Sequence, residues 1–214
     1  MGKACLVTGK SSELLAEVAR EAVNRERQAL VARSGPLELA GSGEGPAVVS
    51  WNRRSALSAR SVLLHGQNLF GRLDEAIIVF SPVQDTVPFH ESSIVSVENR
   101  TDAEVKGYLF MIREIVALFQ KQRAGRLLLA VLEPDNQVRS PLEALSLGGF
   151  VSAAEALQRF YVNEALEVRL CHALSSCEGG YAAFIMDALD APRQRRSRVW
   201  QRHQAKTRLF GRAR

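Results

Sequence analysis

Thr8, Gly9, Lys10, Ser11 and Ser12 form a short polar stretch between an apolar run at 4–7 and a segment in which Leu14, Leu15, Val18, Ala19 and Ala22 recur at helical spacing. A strand that turns into a helix through small polar residues aims backbone N–H groups at an anion, and Lys10 adds a cation. The chemistry on offer is phosphate binding. Two positions speak against a full dinucleotide loop. Glu13 sets a carboxylate where it would repel a pyrophosphate, and Leu15 stands in place of the glycine that lets helix and strand approach. Other chemistries have less support. His65, His90, His172 and His203 are scattered, and Cys171-His172 with Cys177 does not have zinc-ligand spacing, so no metal site is expected. There is no Gly-x-Ser-x-Gly elbow, and Gly9-Lys10-Ser11-Ser12 lacks the upstream glycine of a Walker loop.

The elements that would hold this loop follow from hydropathy. Apolar runs ACLVTG, QALVARS, PAVVSWN, DEAIIVFSP, RLLLAVLEP and LEVRLCHAL read as strands, and GGYAAFIMDAL as a seventh. Between them lie helical patterns: one stopped by Gly71, a long one from Thr101, taken as its N-cap, to about Arg123, and one over GFVSAAEALQRFYVNEAL. Strands that are apolar throughout, alternating with helices, predict an α/β, Rossmann-type doubly wound parallel sheet of about seven strands with helices on both faces. The chain has 214 residues, enough for one such domain. No apolar stretch reaches the roughly 20 residues that span a bilayer, no signal peptide layout is evident, and the three cysteines suit reduced thiols; a cytoplasmic protein is expected. Residues 192–214 hold eight Arg and one Lys without an acid, which leaves the first 191 at −4 within a chain of +5. The expected organisation is an acidic body at 1–191 and a basic tail at 192–214.

From residue 4 to about 190 the chain resembles the short-chain dehydrogenase/reductase family. The residues that carry the likeness are Val7-Thr8-Gly9 at the first turn, VARS at the end of the second strand, GRLDEAIIVFSP around the fourth, and GGFVSAAEALQRFYVNEAL in the place of the family's catalytic helix. The resemblance implies a seven-stranded Rossmann fold and hydride transfer by a Tyr-x-x-x-Lys pair, in which a cation lowers the phenol's pKa from about 10. Phe150 falls at the Tyr position and Ala154 at the Lys position. Tyr108, Tyr161 and Tyr181 are followed four residues on by Ile112, Ala165 and Ile185, so the pair is absent in every register. The family's catalytic Ser falls near Leu132 or Glu133, and its structural Asn, in Asn-x-x-Gly, on Glu104 ahead of Gly107. No catalytic residue is therefore expected, and hydride transfer is expected to be lost. The degenerate cofactor set is Thr8, Gly9, Lys10, Ser11, Ser12, Arg33, Trp51 and Ser81. Phe80-Ser81-Pro82 replaces the Asn-Ala-Gly that touches the adenosine ribose, and Trp51 lies near the adenine-contacting Asp. The site is expected to be packed shut with no cofactor; Arg33 makes NADP the dinucleotide if one binds.

What remains is contact surface. Val105, Leu109, Ile112, Val116 and Phe119 form an apolar stripe on the helix at 101–123, and Phe150, Leu157 and Phe160 lie together on that at 150–166. The resemblance implies a homodimer through these helices. The tail reads as a helix whose Arg193, Arg195, Arg196, Arg198, Trp200, Arg202, Lys206, Arg208 and Phe210 would meet an acidic protein, nucleic acid or an anionic surface. The expected function is that of a catalytically inactive, structural or partner-binding protein. The alternative is an NADP-dependent oxidoreductase or nucleotide-sensing protein with an atypical site, for which Tyr161 or Glu155 would be the proton donor.

Overall fold

Six of the seven expected strands form where the apolar runs lie. β1 (Ala4–Gly9) and β4 (Glu75–Phe80) are buried at every position, as strands covered on both faces must be. β2 (Gln28–Arg33), β3 (Ala47–Ser50), β5 (Gly125–Glu133) and β6 (Leu166–Leu174) complete the six, and β7 (Gln201–Arg202) is a two-residue seventh. The computed structural model describes residues 2–34, 45–135, 138–192 and 200–204. All seven strands run parallel in the order β3-β2-β1-β4-β5-β6-β7.

Helices α1 (Glu13–Asn24) and α6 (Tyr181–Asp190) share one core with Cys5, Val7 and Ile77 on one face of the sheet. On the other face α2 (Ala56–Phe70), α4 (Gly107–Gln122) and α5 (Pro141–Phe160) close over Leu6, Ile78 and Leu129. No helix among the described residues is long and apolar enough to cross a membrane.

Three expectations are corrected. The segment at 181–190 is a helix, because Tyr181, Ala182, Ile185, Met186, Ala188 and Leu189 bury one helical face while the seventh strand is built from polar residues further on. The long helix does not begin at Thr101. It begins with α3 (Ile94–Thr101), where Ser93 Oγ accepts the Ser96 N–H at 3.1 Å, and Thr101 lies inside it with its hydroxyl donating to the Val97 carbonyl at 2.8 Å. A π-helical turn at Asp102–Lys106 then joins α3 to α4 without a break. The third correction concerns α5, which starts at Pro141 rather than near 150 because Ser140 caps it by accepting the Glu143 N–H at 3.1 Å.

At the edge where the strands begin, Glu75 is 1 % exposed and bound by Lys3 at 2.9 Å and Arg27 at 2.6 Å; Arg27 also reaches Asp190 at the end of α6. Burial opposes the charge on Arg27, but its hydrogen bonds to Glu75 and Asp190 outweigh that and raise its pKa.

Candidate functional site at the crest of the sheet

The crest, where the parallel strands end, is where doubly wound sheets bind ligands. Thr8 is buried there with its hydroxyl on the Ala32 carbonyl at 3.0 Å, and Gly9 passes so close to β4 that a Cβ would lie 2.4 Å from the Val79 carbonyl oxygen. Ser12 Oγ accepts the Leu15 N–H at 3.2 Å and so caps α1, while the side chains of Leu14 and Leu15 go into the core. The Lys10 N–H donates to the Tyr108 hydroxyl at 3.2 Å, so a phenol from α4 occupies an amide of the loop between β1 and α1.

Tyr108 belongs to a block of four aromatic rings. Phe80 and Phe150 stack with centroids 4.4 Å apart, Tyr108 meets them edge-on at 5.0 and 5.6 Å, and Trp51 meets Tyr108 at 5.7 Å. All four are buried. Phe150 thus turns its ring into the core, and Ala154, one turn on, has no exposed surface. Burial, with the Glu104 charge, pushes the Tyr108 phenol up; the nearby Arg53 and the Lys10 N–H offset this only in part, so the site disfavours its ionised form. Tyr181 is likewise raised, by burial above all, and its hydroxyl is spent on the Val131 carbonyl at 3.0 Å. Burial also pushes the Cys171 thiol up to about 12, which removes it as a nucleophile.

Towards β4, β5 and β6 the crest is a mesh of ion pairs. Glu104, on the π-turn and nearly buried, pairs with Arg100 at 3.6 Å and accepts the Val83 N–H at 3.5 Å, while Arg100 donates to the Val83 carbonyl at 2.5 Å and pairs with Asp85. Ser140 donates to Asp85, which ties the loop after β4 to the start of α5. Glu133 is bound by His172 at 2.5 Å and by Arg139, which lies 4.0 Å from Glu143.

Towards β1, β2 and β3 the arrangement differs. Arg33 sits beside Gly9 and Ser50 in the sheet register, and its carbonyl accepts the Trp51 N–H at 2.9 Å. Arg53 donates to Ser34 Oγ at 3.1 Å and lies 5.9 Å from the centre of the Tyr108 ring. Gly107 makes this packing possible, because a Cβ there would fall 2.3 Å from the Arg53 carbonyl oxygen.

Solved structures share this architecture. A short chain dehydrogenase from Mycobacterium smegmatis matches with a TM-score of 0.67 at 15% identity, over 81% of this chain and 76% of its own. An actinorhodin polyketide ketoreductase, whose crystal structure is with NADPH, matches with a TM-score of 0.67 at 14% identity, over 81% of this chain and 69% of its own. The fold is that of the short-chain dehydrogenases. No protein-family model matches the sequence, and no curated protein matches it either.

The structure brings Thr8, Gly9, Lys10, Ser11, Ser12, Arg33 and Trp51 to one end of the crest, with Ser81 at the end of β4. Tyr161 is placed far from them. α5 leaves the crest and runs roughly 30 Å back towards the start of β6, with Tyr161 at its far end. Glu155 faces the sheet edge, where it accepts the Trp200 Nε1–H at 2.9 Å and pairs with Arg159. Trp200 and Arg202 belong to an extended segment rather than a helix: Arg202 pairs with His172 in the ladder, and the His203 N–H donates to the His172 carbonyl at 2.8 Å. Arg193, Arg195, Arg196, Arg198, Lys206, Arg208 and Phe210 lie outside the described residues. The sequence reading missed Tyr108, Arg53 and Arg54 as crest residues; the signal was there in Gly107-Tyr108, beside the glycine that the resemblance sets against Asn-x-x-Gly, and in a pair of arginines just past Trp51.

Proposed function

We propose that the chain is a short-chain-dehydrogenase-like protein that has given up hydride transfer and serves as a structural or partner-binding component, with its Arg-rich tail as the contact element. The observation that carries this is the stack of Phe150 on Phe80: at the position of the family's acid/base there is a buried hydrocarbon ring, and the Lys position is a buried alanine. The ion pairs beside it engage Glu104, where the resemblance places the family's Asn, and Glu133, which with Leu132 lies near the place it gives the Ser. Self-association through α4 and α5 is part of the reading. Leu109 and Leu145 are about half exposed, and Gly148 and Gly149 face open space next to Leu145, which suits close approach of a second helix pair.

The test is direct. Full-length protein mixed with NADPH or NADH and a panel of aldehydes and ketones is expected to oxidise neither cofactor, and turnover on the order of 1 s⁻¹ would sink the proposal. Partner capture should use substitutions and not truncation, because a cut at 192 also deletes β7. Arg193, Arg195, Arg196 and Arg198 all changed to Ala should lose an acidic partner that the parent chain retains.

A second reading, nucleotide sensing, is favoured by a separate observation: the cations at the β1–β2–β3 end of the crest have no acids bound to them among the described residues.

A further inference from the structure

A cavity of about 620 Å³ lies between α6 and the end of β7. One wall is the outward side of α6, where Gly180, Ala183, Phe184 and Asp187 recur at helical spacing; the other is Arg202, His203 and Gln204. Phe184 is half-buried there, its ring 5.1 Å from that of His203, which in turn lies 5.6 Å from Tyr181. An aromatic ring left partly in water at a concave site gains from an apolar cover.

Charge beside the cavity has one sign. Glu178 precedes Gly179, a residue of the wall. Burial, and then the charges of Glu17 and Glu13 on α1, push the Glu178 carboxyl up. None of these three acids is bound to a cation among the described residues. Like charges held together without a counter-ion favour the arrival of a cation.

The chain itself supplies the complement. Gln204, in the cavity wall, is the last of the described residues, and residues 205–214 follow it. They hold Lys206, Arg208, Arg212 and Arg214 with no Asp or Glu, and Leu209-Phe210 in their midst. β7 runs parallel to β6 towards the crest, so the chain leaves it on the side where Glu178 stands and α6 begins. Five residues carry Leu209 up to about 17 Å from Gln204, which is reach enough to turn back into the cavity. A segment so tethered docks intramolecularly, and contacts too weak for a separate peptide then suffice.

We propose that residues 205–214 dock on this chain's own body, with Leu209 and Phe210 in the cavity beside Phe184 and with Lys206 and Arg208 facing Glu13, Glu17 and Glu178. The surface recognises a basic segment that carries an apolar pair. This goes beyond the role given to Arg193, Arg195, Arg196 and Arg198, which precede β7 and take no part in it.

Cys177 offers the means of testing it. Cys5 and Cys171 are buried, whereas Cys177, next to Glu178, is partly exposed. In full-length protein carrying Thr207→Cys, at ~0.15 M salt, a short bis-maleimide is expected to join position 207 to Cys177 within one chain, read by peptide mass and as a monomer on a denaturing gel. In that background, Leu209→Ser with Phe210→Ser should slow the link at least about fivefold, and so should Glu13→Gln with Glu17→Gln and Glu178→Gln. A tail held by its tether alone would react at one rate in all of them, because effective concentration depends on the linker and not on those side chains. Rates within about twofold of one another overturn the proposal, as does the absence of a link. A link found only between two chains also overturns it and assigns the surface to a second copy. The serine pair lies outside the body, so slow linking in that variant is no folding defect. Failure here leaves the capture of a partner by Arg193, Arg195, Arg196 and Arg198 untouched, and failure of that capture leaves this result standing.

Discussion

Charged groups are handled in opposite ways at the two edges of the sheet. Where the strands begin, Glu75 and Arg27 are almost wholly buried and bound to each other, with Lys3 and Asp190 completing the group. Where β1 and β2 end, Lys10, Arg33 and Arg53 remain partly exposed with no acid bound among the described residues. A buried charge must be paired in place, since desolvation is costly and only a close partner offsets it. A charge that stays wet costs the fold little, and is free to bind something else. The difference teaches that the opening edge holds the body together through buried pairs, whereas the β1–β2 end of the crest leaves its cations in contact with solvent.

The comparison can be broken most forcefully at its rigid end. Arg27→Met leaves Glu75 buried with its closest cation gone and only Lys3 and, at 3.9 Å, Arg126 beside it, and should cost about 3–5 kcal/mol, read as the shift in a urea unfolding midpoint; a loss under about 1 kcal/mol would show that Lys3 and Arg126 suffice and that the edge is no clamp. At the crest, the double change Phe150→Tyr with Ala154→Lys restores the Tyr-x-x-x-Lys spacing. Because Ala154 has no exposed surface and Phe150 is locked on Phe80, the lysine would be driven into the core, and we expect a loss of about 3 kcal/mol or more with no NADPH oxidation gained. Recovered turnover would mean that the aromatic block opens readily. Gly107→Ala sets a Cβ against the Arg53 carbonyl; about 1–3 kcal/mol of destabilisation is expected, and an unaffected melt would refute the close packing. The smallest effect is in pH. Burial alone would raise the Asp190 carboxyl, but Arg27 and Arg25 hold it below the usual carboxylate range. A folded-state pKa below the unfolded value of about 3.9 means the ionised form stabilises the fold: that contribution is present above about pH 4 and is lost as pH falls through the depressed value. Asp190→Asn should therefore lower stability by about 0.5–1 kcal/mol at pH 7 and flatten the acid limb of the stability profile, and an acid limb identical to the parent's would assign the loss to other carboxylates.

Much of the scaffold could be read from the chain because parallel strands buried on both faces are apolar at every position, with no alternation to confuse. β7 was not readable, since Gln201 and Arg202 are polar and their place is fixed by distant contacts: Trp200 on Glu155 and His203 on His172. α6 was read as a strand because a short, nearly continuous apolar run fits either period. Thr101 with Glu104 imitates a capping box, yet Ser93 starts the helix two turns earlier, and Ser140-Pro141 with Glu143, a true start signal, was passed over. At the site, Phe150 and Ala154, at the positions that the resemblance gives to Tyr and Lys, were visible from residue types alone. The occupation of the Lys10 amide by Tyr108 was not, because it joins residues 98 positions apart.

The π-helical turn at Asp102–Lys106 also sets a matter of phase. A five-residue turn holds one residue more than the surrounding helix would use, and each residue in an α-helix is worth about 100° of rotation. The extra residue therefore offsets α3 from α4 by roughly that angle, and it is this offset that brings Glu104 beneath Val83 while Tyr108 still points at Lys10. A single-residue deletion within the turn would give an ordinary continuous helix, and the two contacts could then no longer be made at once. The latch on the loop after β4 and the Tyr108 contact with the loop after β1 are phased by the same turn, so a change in chain length of one residue is enough to separate them.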